Sequence, residues 1–142
     1  MKVLKDSVRY IRSKPYLFLS DGVFDPSSVC SRIAIQGFKF GATEVTLVNH
    51  DPWWAVISNF NWLLDKSKFP DPKMPFIKII SDTRLGQNSY CSEILLTAFC
   101  GSVMVYTEGT QFLHFGKYNL LPNELSAHTN NELALFFLYE PA

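Results

Sequence analysis

Glu44-Val45-Thr46-Leu47-Val48-Asn49-His50-Asp51-Pro52-Trp53-Trp54-Ala55-Val56-Ile57-Ser58 is the stretch on which the architecture turns. Its first five residues alternate and are rich in β-branched side chains, which suit the pleated, half-buried surface of a strand. Asp51-Pro52 then sets a capping acceptor before a residue whose φ is already helical, the pair that opens many helices. Trp53, Trp54, Val56, Ile57, Phe60, Leu63 and Leu64 follow as a wide apolar face at helical spacing. Read this way, a strand runs directly into a helix, and the chain alternates between the two.

The neighbouring segments extend that pattern. Upstream, Leu4, Val8 and Ile11 predict a helix over 3–13 that ends before Pro15, and Tyr16-Leu17-Phe18-Leu19 reads as a short buried strand. Asp25-Pro26 opens a second helix carrying Val29, Ile33, Phe38 and Phe40 and closed by Gly41. Downstream, the prolines of Phe69-Pro70-Asp71-Pro72-Lys73-Met74-Pro75 break the chain before Phe76-Ile77-Lys78-Ile79-Ile80, a predicted strand. A polar loop over 81–89 leads to a helix over 90–100 that is capped by Asn88 or Ser89. Val103–Tyr106 and Phe112–Phe115 form a hairpin around Glu108-Gly109, Leu121–Leu125 forms a helical turn, and the apolar run 133–139 belongs in the middle of a sheet. The expected fold is α/β or α+β: a single domain over 1–142, with one mixed β-sheet of about six strands and helices packed on it.

Composition agrees with a packed core. Hydrophobic residues make up 47% of the 142 and charged residues only 18%, which excludes a disordered chain. Thirteen basic residues balance thirteen acidic ones, so no broad field draws the protein to nucleic acid or to an anionic membrane. No apolar run nears the roughly 18 residues of a membrane span, and Met1–Asp6 lacks a secretory apolar region; the expected location is the cytoplasm. Cys30, Cys91 and Cys100 cannot all pair within one chain and show no Cys-x-x-Cys spacing, so reduced thiols are expected. His50, His114 and His128 have no second His or Cys two to four residues on, and no glycine-rich phosphate loop occurs. Neither a metal nor another cofactor is expected. Of the adjacent Trp53 and Trp54, one is expected to be partly exposed, a residue type that anchors protein interfaces.

Two classes of function remain. In the first, Cys91 stands in the opening turn of the helix over 90–100, where unsatisfied N–H groups favour a thiolate, with His114 as general base and Gln87 or Asn88 near an oxyanion site. Tyr90-Cys91-Ser92-Glu93-Ile94-Leu95 resembles the nucleophile helix of circularly permuted papain-like thiol hydrolases. That resemblance implies acyl transfer or amide hydrolysis, with the histidine coming earlier in the chain. The corresponding stretch here, Ser31-Arg32-Ile33-Ala34-Ile35, carries Arg32 instead. In the second class the protein binds another protein without chemistry. In size, neutrality and richness in aromatics the chain resembles bacterial toxin-immunity proteins. This implies a preformed surface with aromatic anchors and a polar rim, for which Asp82, Arg84, Glu108 and Lys117 are the candidates, blocking a cognate toxin domain.

Overall fold

A computed structural model describes residues 6–86 and 89–140. In it Asp51-Pro52 turns the chain back on itself. Val45–His50 (β1) pairs antiparallel with Trp53–Ser58 (β2), with His50 opposite Trp53 and Val45 opposite Ser58. The helix expected from Trp53 onward is therefore a strand. The reason lies in burial: Trp53, Ala55 and Ile57 enter one apolar cluster, and Val56 with Trp54 enters the other. A strand buried on both sides shows no polar alternation, and its sequence reads as readily as an apolar helix face. The two tryptophans point to opposite faces as strand neighbours do; Trp53 is buried and Trp54 half-buried.

Ser102–Thr107 (β3), Thr110–Gly116 (β4) and Leu133–Leu138 (β5) complete a five-stranded sheet of order β1-β2-β5-β3-β4, antiparallel at every pairing. The expected mixed sheet of about six strands is thus an antiparallel sheet of five. Four of the expected strands formed: β1, the two of the β3–β4 hairpin, and β5, which lies between β2 and β3 as its unbroken apolar run indicated. Two predicted strands are helical turns instead. Pro15, with its φ preset, opens Pro15–Phe18 (α2), and Pro75 sits in the first turn of Met74–Ile77 (α4).

Ser7–Ser13 (α1), Pro26–Phe40 (α3) and Glu93–Phe99 (α5) pack on one face of the sheet, where Ile11, Ile33 and Leu95 meet Val56, Val105, Leu135 and Phe137. The other face, with Trp53, Met104, Phe136 and Leu138, is covered by Leu121 and by Leu125 of the short helix Asn123–Ser126 (α6). Helix α3 obeys its sequence signals: the Asp25 carboxylate accepts from the Ser27 N–H at 3.2 Å, and Gly41 closes the helix at φ 123°. Helix α5 starts three residues later than predicted, so Cys91 precedes it. Among the described residues no helix is long and apolar enough to cross a membrane.

Candidate functional site

The structure separates most of the residues singled out from sequence. Cys91 has no exposed surface and belongs to the cluster on the helix-bearing face. Burial raises its thiol pKa, and the neighbouring Glu93 carboxyl pushes in the same direction. His114 pairs across the hairpin with Met104, whose side chain lies in the cluster on the other face. Directly opposed strand residues share a face, so the sheet stands between His114 and Cys91. His114 Nε2 instead lies 2.8 Å from the Tyr118 carbonyl oxygen. Gln87 and Asn88 lie outside the described residues. Cys30 is also fully buried, with its pKa pushed up to about 12 by burial, and burial raises that of Cys100 as well.

Of the four proposed rim residues, Asp82 and Arg84 meet. Arg84 donates through Nε at 2.9 Å and Nη2 at 2.7 Å to the two Asp82 oxygens, which holds the Asp82 carboxyl below its ordinary pKa. The Arg84 guanidinium also lies 4.8 Å from the centre of the Phe40 ring. Glu108 sits in the β3–β4 turn at φ 48°, and Lys117 follows the far end of β4. A seven-residue strand, about 20 Å long at the usual rise, separates those two, so the four do not form one rim.

Beneath the surface lies a polar cluster that sequence reasoning did not identify. Glu93 is fully buried at the first position of α5. Its carboxylate accepts from Gln36 Nε2 at 2.6 Å and from the Trp62 indole N–H at 2.9 Å. Gln36 Oε1 in turn accepts from the Ser92 backbone N–H at 2.8 Å. Burial raises the Glu93 pKa against the lowering effect of those donors. The cluster ties α3, the Trp62–Leu64 turn and α5 together and fixes the α3 surface above it. The available signal was the spacing of Gln36, Trp62 and Glu93 within otherwise apolar segments, but polar residues in such segments do not name their partners.

That surface carries a track of three concavities, two of them lined in part by α3 and one adjoining its amino end. At its amino end, Leu19, Val23, Phe24, Val29 and Tyr139 line a hollow of about 610 Å³ with Asp21 and Asp25 at its edge. A second hollow of about 410 Å³ shares Leu19, Val23, Phe24 and Tyr139 with the first and reaches Phe99 and Glu140. Their shared floor is aromatic: the Phe24 ring lies 4.6 Å from that of Tyr139, and 6.0 Å from that of Phe99 in the second hollow, centroid to centroid. Arg32 borders the first hollow and also a third, of about 220 Å³, where Ile35, Gln36, Lys39, Leu85 and Tyr90 are found. Arg32 donates to the Phe18 carbonyl at 3.4 Å and stacks 5.5 Å from the Tyr90 ring centre.

Exposed apolar side chains flank the track. Val23 is 62% exposed between the first two hollows, and Tyr16, packed near Gly22, is 75% exposed. Ile35 and Phe38, one turn apart on α3, stand out at the other end. Charge is divided along it. Asp21, Asp25 and Glu140 mark the aromatic end and Lys39 the other, with Arg32 between the first and third hollows. A chain with no net charge thus carries opposite charges at the two ends of one surface. Among the described residues no group of three His, Cys, Asp or Glu is placed to hold a metal ion.

No family model matches the chain, and neither the curated proteins nor the solved structures include one that matches it.

Proposed function

We propose that this protein is a non-enzymatic binding domain of the immunity type, which engages a cognate toxin domain through the α3 track and blocks it. The observation that carries the reading is the aromatic-floored double hollow around the exposed Val23. Concave apolar sites with aromatic walls are where a partner's anchor side chains gain most from leaving water, and charges at the edge set orientation and encounter rate. The partner's matching surface would carry an apolar knob between a basic patch, facing Asp21, Asp25 and Glu140, and an acidic one, facing Arg32 and Lys39. The binding residues proposed in this reading are those of the track, with the Asp82–Arg84 pair beside Phe40 at its basic end.

The test is photocrosslinking in the native cell, with a photoreactive residue at position 23 and the same residue at position 110, at the start of β4, as control. The expected result is a protein captured from position 23 alone that arrests growth when expressed by itself and is harmless when expressed with this chain. A captured protein whose toxicity this chain does not relieve contradicts the reading.

A further inference from the structure

We infer that the outer edge of β1 is a pairing site for a second copy of this chain, which joins two five-stranded sheets into one. The two edges of the sheet are built differently. On β4, Val105 faces Leu113 while Tyr106 faces Gln111, so Phe112 is an extra residue and the edge is bulged. A bulge is one of the devices that keep an edge strand from templating another chain. Strand β1 has no bulge in its register, no proline and no lysine.

The direction of its free groups follows from one bond. The Glu44 carbonyl accepts from the Asn59 N–H at 3.3 Å, so Glu44 directs its backbone groups toward the β2 side. In an antiparallel ladder this alternates, and Val45, Leu47 and Asn49 therefore direct theirs outward. Among the described residues nothing but β2 pairs with the backbone of β1. Leu47, on this edge, is 42% exposed.

A two-fold axis through Leu47 sets this residue against its own copy, Val45 against Asn49, and Glu44 against His50. Each of the outward-facing residues then exchanges backbone hydrogen bonds, the two leucines leave water together, and the one acidic residue at this edge meets the imidazole twice. That carboxylate–imidazole match, absent if the register shifts by two residues, selects the second copy as occupant. His50 Nε2 already lies 3.4 Å from a Glu124 carboxylate oxygen in its own chain, so its ring would stand between two carboxylates. One pair of six-residue strands buries less than the ~1,200–2,000 Å² of standard stable interfaces, so the dimer forms at high protein concentration.

Sedimentation velocity of the full chain over a concentration series tests this, with Leu47→Pro, Leu47→Lys and Glu44→Lys. Proline at position 47 removes only an outward-facing N–H, a change edge strands tolerate, and the lysine variant serves if the proline variant does not fold. The wild type is expected to pass from monomer to dimer as concentration rises. Both Leu47 variants should stay monomeric with an unchanged far-ultraviolet circular dichroism spectrum, and Glu44→Lys should raise the dissociation constant about tenfold. A wild type that is monomeric throughout, or variants that dimerise as it does, overturns the inference.

Discussion

The indole N–H of Trp62 reaches the buried Glu93 carboxylate at 2.9 Å, and the six-membered ring of the same indole packs against Gly37, where no side chain intervenes. A methyl group built on Gly37 would stand 2.6 Å from Trp62 Cζ3 and 2.8 Å from Cη2. A glycine in the last turn of α3, an aromatic turn and an acid at the start of α5 thus form one unit beneath the proposed binding surface.

Gly37→Ala separates packing from helix propensity. Alanine is favoured over glycine inside a helix by about 1 kcal/mol. The rigid indole cannot yield as the end of a flexible side chain would, and overpacking of this type costs about 1–3 kcal/mol. The net expectation is a lower urea midpoint with an altered tryptophan emission spectrum. A midpoint at or above that of the wild type would show that the ring moves aside freely.

Glu93 makes stability depend on pH in a defined direction. In the unfolded chain its carboxyl titrates near the ordinary value of ~4.3, whereas burial raises it in the fold. Above the unfolded value the native state retains a proton that the unfolded chain has released, so this residue's contribution is complete below that value. It is lost as pH rises through the folded pKa. Urea unfolding at pH 5 and pH 8 should therefore show Glu93→Gln gaining on the wild type as pH rises. An equal difference at both values contradicts the assignment.

Trp62→Phe removes one of the donors to that carboxylate while keeping an aromatic ring. Loss of a partner by a buried group costs about 1–3 kcal/mol, and the cost should be larger at pH 8, where more of the carboxyl is ionised. Equilibrium unfolding of the variant at the two pH values measures it.

The three thiols should resist alkylation in the native protein and react together when it unfolds. Cys30 and Cys91 have no exposed surface, and burial raises the pKa of all three. Mass-spectrometric mapping of iodoacetamide adducts against time gives the rates. Fast labelling of Cys91 in folded protein would restore interest in a nucleophilic role.

Much of this fold was legible in the sequence where a local signal had a single meaning. Asp25-Pro26 and Gly41 bounded α3, Glu108-Gly109 placed the β3–β4 turn, and the apolar run of β5 gave its central position. Asp51-Pro52 carried the same letters as Asp25-Pro26 and made a hairpin turn instead, because the residues after it bury both faces in a sheet. Tyr16-Leu17 looked like a buried strand, but Pro15 starts a helical turn that leaves both side chains exposed. The candidate site was less legible still. Phe24, Phe99 and Tyr139 meet only through the fold, and Arg32 and Gln36, on one helix face, gain their roles from Tyr90 and Glu93, which lie far along the chain.

Binding through the α3 track is tested most directly by one substitution, Val23→Asp, measured by titration calorimetry against the protein captured at position 23. The side chain is 62% exposed, so the stability of the variant should stay within about 0.5 kcal/mol of the wild type. The account predicts loss of at least tenfold in affinity, since a carboxylate then occupies the ridge between two apolar hollows. Affinity equal to that of the wild type, from a variant that folds normally, would contradict it.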